Sequence, residues 1–165
     1  HIGFLQGPVT HSASARREEG FRAAMAAAGI AVDEDVMMRG DFSFRAGLEL
    51  GERILRRAPH PTAIFAANDD MALGALITAM KLGIAVPEAL SICGFDDSAS
   101  ARAAWPQLTT IRQPKAEIAG AAVDILANPH FRKEVALPHS HPTLAHELIV
   151  RGSTAVAKPV KATAP

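Results

Sequence analysis

The sequence predicts an α/β fold built on a parallel sheet, and three observations carry that prediction. Short apolar, β-branched or aromatic runs recur at residues 2–5, 36–38, 62–67 and 90–95. Segments with the apolar spacing of helices stand between them, and strands alternating with helices in this rhythm form right-handed βαβ units. Polar groups gather where each run ends and the next helix begins, the edge of an open parallel sheet where ligands bind.

In the first unit, Gly7-Pro8 closes the strand, Ser12 or Ser14 is placed to cap a helix whose Phe21, Met25 and Ala28 share a face, and Gly29 ends it. In the second, Arg39-Gly40-Asp41-Phe42 stops the strand. Ser43 caps a helix carrying Leu48, Leu50, Ile54 and Leu55, and Ala58-Pro59 terminates that helix. The third unit is the most telling: residues 62–67 break at Asn68-Asp69-Asp70 and resume as an almost wholly apolar helix over 69–82. A strand over 90–95 then closes at Asp96-Asp97, with no obvious helix after it. Beyond Trp105-Pro106 come a short strand over 108–111, a helix from Pro114 with Ile118, Ala122, Ile125 and Leu126 on one face, a proline-punctuated loop over 128–143, and a last strand over 147–150. The tail from Ala155 is expected to be disordered.

Composition narrows the function classes. Among 165 residues, 17 basic side chains balance 17 acidic ones, so the chain by itself lacks the basic face that phosphate backbones require. No apolar run approaches a membrane span and the first residues lack the pattern of a secretory signal, so a cytoplasmic protein is expected. The single Cys93 lies in an apolar run and reads as a buried, inert thiol. The chain opens on His1 and runs straight into a strand, which leads us to expect natural sequence before it.

The strand ends collect Gly7-Pro8 with the nearby Arg16-Arg17, Asp41-Phe42, Asn68-Asp69 and Asp96-Asp97. Carboxylates accept from hydroxyls, an amide does both, a guanidinium donates in a fixed fork, and an aromatic covers C–H groups. That mixture suits a neutral polyol or sugar better than a phosphate. Asp69 and Asp70 read as helix-start residues favoured by the dipole, Asn68 equally as cap or ligand contact, and Asp96 as a site residue. Adjacent Arg16 and Arg17 cannot face the same way. No dinucleotide or phosphate-loop pattern is present. The histidines at 130, 139, 141 and 146 form no credible four-ligand set, and no nucleophile, base and orienting group assemble. No metal, no cofactor and no enzyme activity are expected; a metal-assisted hydrolase using Asp69, Asp70 and Asp96 is the enzyme-class rival.

Seven motifs then resemble, in order, the effector-binding domain of the LacI/GalR family of bacterial transcription regulators: Arg17-x-x-Gly20-Phe21, Gly40-Asp41-Phe42, the run from Thr62 through Asn68-Asp69-Asp70 to Ala75, Val86-Pro87-Glu88, Gly94-Phe95-Asp96-Asp97, Leu108-Thr109-Thr110-Ile111-Arg112-Gln113-Pro114 and Arg151-Gly152-Ser153-Thr154. The resemblance implies a doubly wound, type I periplasmic-binding-protein-like fold of two lobes with a small effector between them. It implies that Arg17, Asn68 and Asp96 contact effector hydroxyls and that Phe42 stacks on the ligand. It selects Arg17 over Arg16.

By the same resemblance, residues 1–112 form the C-terminal lobe, 113–143 a crossover helix and loop of the N-terminal lobe, 144–154 the returning strand, and 155–165 the tail. The implied partners are a sugar-like effector, a second copy of the chain, and operator DNA reached through a helix-turn-helix outside this sequence; no membrane is implied. The helix over 69–82 is apolar in nearly every direction, more than one sheet face can cover, so Met71, Leu73 and Ile77 are expected at a dimer interface. The helix from Pro114, taken from its natural sheet, is expected to fold down on a neighbouring chain or on the cleft edge near Phe42 and Asp96. A periplasmic sugar-binding protein of the same fold is the rival reading.

Overall fold

The computed structural model describes residues 1–127 and 143–157. Strands β1 (Ile2–Gln6), β2 (Met37–Arg39), β3 (Ala63–Ala66) and β4 (Ser91–Cys93) form a parallel sheet in the order β2-β1-β3-β4. Strand β5 (Thr110–Arg112) continues the sheet beside β4 through parallel bridges Cys93–Thr109 and Asp96–Arg112, and pairs antiparallel with β6 (Glu147–Ile149). The order reverses at β1, which makes this a doubly wound sheet.

Helix α1 (Ser12–Ala27) lies on β1, where Phe21 stacks on Phe4 at 4.9 Å between ring centroids, and Phe4 stacks on Phe65 at 5.1 Å. Gly29, at φ 66°, ends it. Helices α2 (Phe44–Leu55) and α3 (Asp69–Lys81) pack on one another with their backbones nearly touching. A Cβ on Gly47 would stand 2.3 Å from the Met71 carbonyl oxygen, and one on Gly74 2.5 Å from the Gly47 carbonyl carbon. This close approach explains a correction. The second apolar side of α3 is covered by the chain's own α2, and Met71, expected at a dimer interface, is 0% exposed within the chain. Leu73 is half-buried, whereas Ile77 remains 36% exposed on the outer side.

Other expectations change locally. Ser43 caps α2 by accepting from the Ala46 N–H, but α1 starts after His11 with no side-chain cap, and Ser14 is buried instead. A short helix α4 (Ala99–Ala103) follows Asp97 where none was expected, because Ser98 accepts from the Ala101 N–H and starts it. Cys93 is half-buried rather than buried, and its thiol is pushed up to about 11 by burial and then by Asp69, which keeps it protonated and inert.

Helix α5 (Lys115–Ala127) has no buried residue; Ile118 is 45% and Leu126 66% exposed. Of the two surfaces expected to cover it, the cleft edge near Phe42 and Asp96 does not bury its apolar face. Its Ile118, Ala122 and Ile125 line a groove of about 580 Å³ together with Arg16 and Phe95. His130, His139, His141, most of the loop over 128–143 and the last eight residues of the tail lie outside the described residues.

Candidate functional site at the carboxyl edge of the sheet

Three groups of the site follow strand ends and the fourth, Arg17, comes from helix α1. Arg17 stands on the second turn of α1, half-buried, with one guanidinium nitrogen donating to the Ala67 carbonyl at 2.7 Å. Its guanidinium carbon lies 4.0 Å from the Phe95 ring centroid and 5.8 Å from that of Phe42. Arg16, its neighbour, is exposed and borders two grooves beside α1. Phe42, at φ 69°, places its ring over Gly7, where a Cβ would collide with it, and meets His11 edge-on at 5.5 Å.

Asn68 caps α3, one of the two roles its sequence position allowed, and also braces Phe42. Its side-chain oxygen accepts from the Met71 N–H at 3.1 Å and caps α3, while its amide nitrogen donates to the Phe42 carbonyl at 2.8 Å. Asp96 is half-buried at φ 131° and accepts from the Gln113 side-chain amide at 2.5 Å. Burial raises the Asp96 carboxyl above the ordinary range; Arg17 opposes this and Asp69 adds to it. Burial likewise lowers Arg17, against the attraction of Asp96. The four residues Arg17, Phe42, Asn68 and Asp96 therefore come together at one edge, and of the four only Arg17 also lines a groove of about 910 Å³ formed with Phe21, Phe65, Phe95 and Gln113 among others. An aromatic face, a fixed cation, an amide and a carboxylate can recognise a small hydroxylated ligand by stacking and by hydrogen bonds of both polarities.

Two neighbours in the sequence serve the scaffold. Asp69 is 1% exposed, accepts from the Thr110 hydroxyl at 2.5 Å and from the Ser98 N–H at 2.7 Å, and thus ties α3 to β5 and the turn at 95–98. Asp97 accepts from Arg112 at 2.8 Å and from Arg151 at 2.5 Å, with Arg102 at 3.3 Å. Sequence reasoning missed Asp97 as a hub and Gln113 as a partner of Asp96. The signal for Gln113 was its place at a strand end beside Pro114; no signal existed for arginines so far apart in the chain.

The model of the periplasmic-binding-protein-like domain family matches residues 1–154. The chain belongs to this family. Within it, the relatives are LacI/GalR regulators. The chain is 39% identical over 153 residues to the HTH-type transcriptional repressor CytR of Escherichia coli, covering 93% of this chain and 44% of that protein. Among solved structures it superposes on a CelR–cellobiose regulator complex with a TM-score of 0.79 at 35% identity, covering 92% of this chain and 46% of the other. It superposes on the lac repressor dimer bound to operator and the anti-inducer ONPF with a TM-score of 0.85 at 27% identity, covering 94% and 53%. The chain thus spans less than half the length of the curated relatives it matches. These relatives are transcription regulators, and the reading as a periplasmic sugar-binding protein gains nothing from them. Among the described residues no helix is long and apolar enough to cross a membrane.

Proposed function

We propose that this chain is the ligand-sensing, dimerising part of a LacI-type transcription regulator. It binds a small sugar-like effector through Arg17, Phe42, Asn68 and Asp96, and through that binding controls operator DNA held by sequence outside this chain. The observation that carries the reading is the convergence of those four side chains at the carboxyl edge of the sheet. A CelR relative complexed with cellobiose and a lac repressor bound to operator support the ligand class and the coupling to DNA.

In this reading residues 1–112 and 144–154 make one lobe, and 113–143 cross to a second. The exposed, apolar face of α5 is what a helix belonging to another lobe would present. Leu73 and Ile77 on the outer side of α3 are the interface residues of the dimer.

Two measurements test the proposal. The gene sequence before His1 is expected to encode a helix-turn-helix; a secretory signal peptide there contradicts it. Calorimetric titration of the protein that carries this chain with a panel of mono- and disaccharides, cellobiose included, is expected to find at least one that binds.

A further inference from the structure

Asp96 and Asp97 are consecutive residues at positive φ, 131° and 51°, where side chains other than glycine are strained and persist only when the surroundings over-determine them. The surroundings here do so at almost every polar atom of the turn. The Phe95 carbonyl accepts from the Asp69 N–H at 2.9 Å, and the Asp96 N–H donates to the Ile111 carbonyl at 2.8 Å. The Asp97 N–H donates to the Thr110 hydroxyl at 3.3 Å, its carbonyl accepts from Arg102 at 2.8 Å, and the Ser98 N–H is held by Asp69. The strongest hold is on the Asp97 carboxylate. Its side chain is 3% exposed and is gripped by Arg112 from β5 and Arg151 from beyond β6. The two carboxylates thus engage successive residues of the same strand end: Asp97 takes Arg112 and Asp96 takes Gln113.

We propose that Asp97 is a positioning residue for Asp96: the arginine clamp on its carboxylate holds the turn in the backbone conformation that presents the Asp96 carboxyl to Gln113 and to the site. The inference rests on Asp96 being an effector contact and adds the device that aims it. Charge-assisted bonds to a buried carboxylate are the strong kind, and their donors come from segments that are remote in sequence, so the aim of Asp96 depends on the docking of β5 and β6.

Backbone NMR of the full chain tests this, in unmodified form and as Asp97→Asn and Arg112→Gln, reading φ at Asp96 from its amide–Hα coupling and chemical shifts. The unmodified chain is expected to show a positive φ at Asp96. Both variants are expected to lose that signature while Leu5 and Ile64, in the sheet interior, keep theirs. Arg112 is the more exposed donor, so its variant decides the matter if Asp97→Asn does not fold. A purely stabilising Asp97 would lower the melting temperature and leave Asp96 unmoved; that result in a folded variant, or a negative φ in the unmodified chain, overturns the proposal. Because the readout is taken without ligand, its failure is distinct from a failure of Asp96 to contact the effector.

Discussion

The guanidinium of Arg17 lies against Phe95, 4.0 Å from the ring centroid, while donating to the Ala67 carbonyl behind it. The stack fixes a long side chain that would otherwise sample many rotamers. A partly desolvated cation–π contact is worth about 0.5–2 kcal/mol. Phe95→Leu is therefore expected to lower unfolding free energy by about 1 kcal/mol in urea titration, and to weaken effector binding by freeing Arg17. Unchanged stability and affinity would show that Arg17 is held by the Ala67 carbonyl alone.

Two glycines should respond in opposite directions to the same substitution. Gly20 lies inside α1, and a Cβ added there would meet nothing within 4 Å, so Gly20→Ala is expected to stabilise by about 0.5–1 kcal/mol through helix propensity. At Gly74 a Cβ would meet the α2 backbone at 2.5 Å. Gly74→Ala is expected to destabilise by about 1–3 kcal/mol or more as α2 and α3 are forced apart. Thermal unfolding of both variants checks the pair; equal effects would contradict the close packing of the two helices.

Acid should act on the paired aspartates with opposite signs. Burial pushes Asp97 up, but hydrogen bonds from Arg151 and Arg112 outweigh it and hold the carboxyl at about 2, below the ordinary 3.8. Its folded value is depressed, so its stabilising effect is complete above 3.8 and is lost as pH falls toward 2. At about 1.4 kcal/mol per pH unit the loss is on the order of 2 kcal/mol. Asp96 is raised by burial, so it costs stability when ionised, and that cost is relieved as pH falls toward 3.8. Urea unfolding across the acid range is expected to show a small gain before a larger loss, and Asp97→Asn is expected to lack the loss. An Asp97→Asn variant with an undiminished acid loss would contradict the clamp.

Ile77 is one of the exposed apolar residues of α3, with Met80, and Ile77→Asp is expected to shift a dimer to monomer in light scattering without unfolding it. An unmodified chain that is already monomeric at high micromolar concentration would remove this helix from any interface. Met71→Asp is expected to unfold the chain instead, because Met71 is 0% exposed in its core.

The legible part of the fold was what depends on local pattern. Residues 62–82 announced a strand, a capped turn and a helix because β-branched and aromatic residues give way to Asn68-Asp69-Asp70 and then to helical spacing, and strand ends of a parallel sheet converge by topology alone. The capping role of Asn68 was legible for the same reason, since an amide oxygen can accept at a helix start, whereas its bond to the Phe42 carbonyl was not. Contacts set by tertiary approach were not legible. Met71 is enclosed because Gly47 and Gly74 admit a helix backbone, which no periodicity of α3 reveals. The clamp on Asp97 takes Arg112 from β5 and gains Arg151 through the antiparallel pairing of β6 with β5, a pairing that the βαβ rhythm does not announce.

Calorimetric titration of the protein carrying this chain, with the sugar that binds it best, compares the unmodified form with Arg17→Ala and Asp96→Asn most directly. Each substitution leaves a ligand hydroxyl without its partner, which costs about 1–3 kcal/mol and so roughly tenfold or more in affinity. We expect both variants to melt as folded proteins and to bind at least about tenfold more weakly. Undiminished affinity in both would place the effector elsewhere and contradict the assignment of the site.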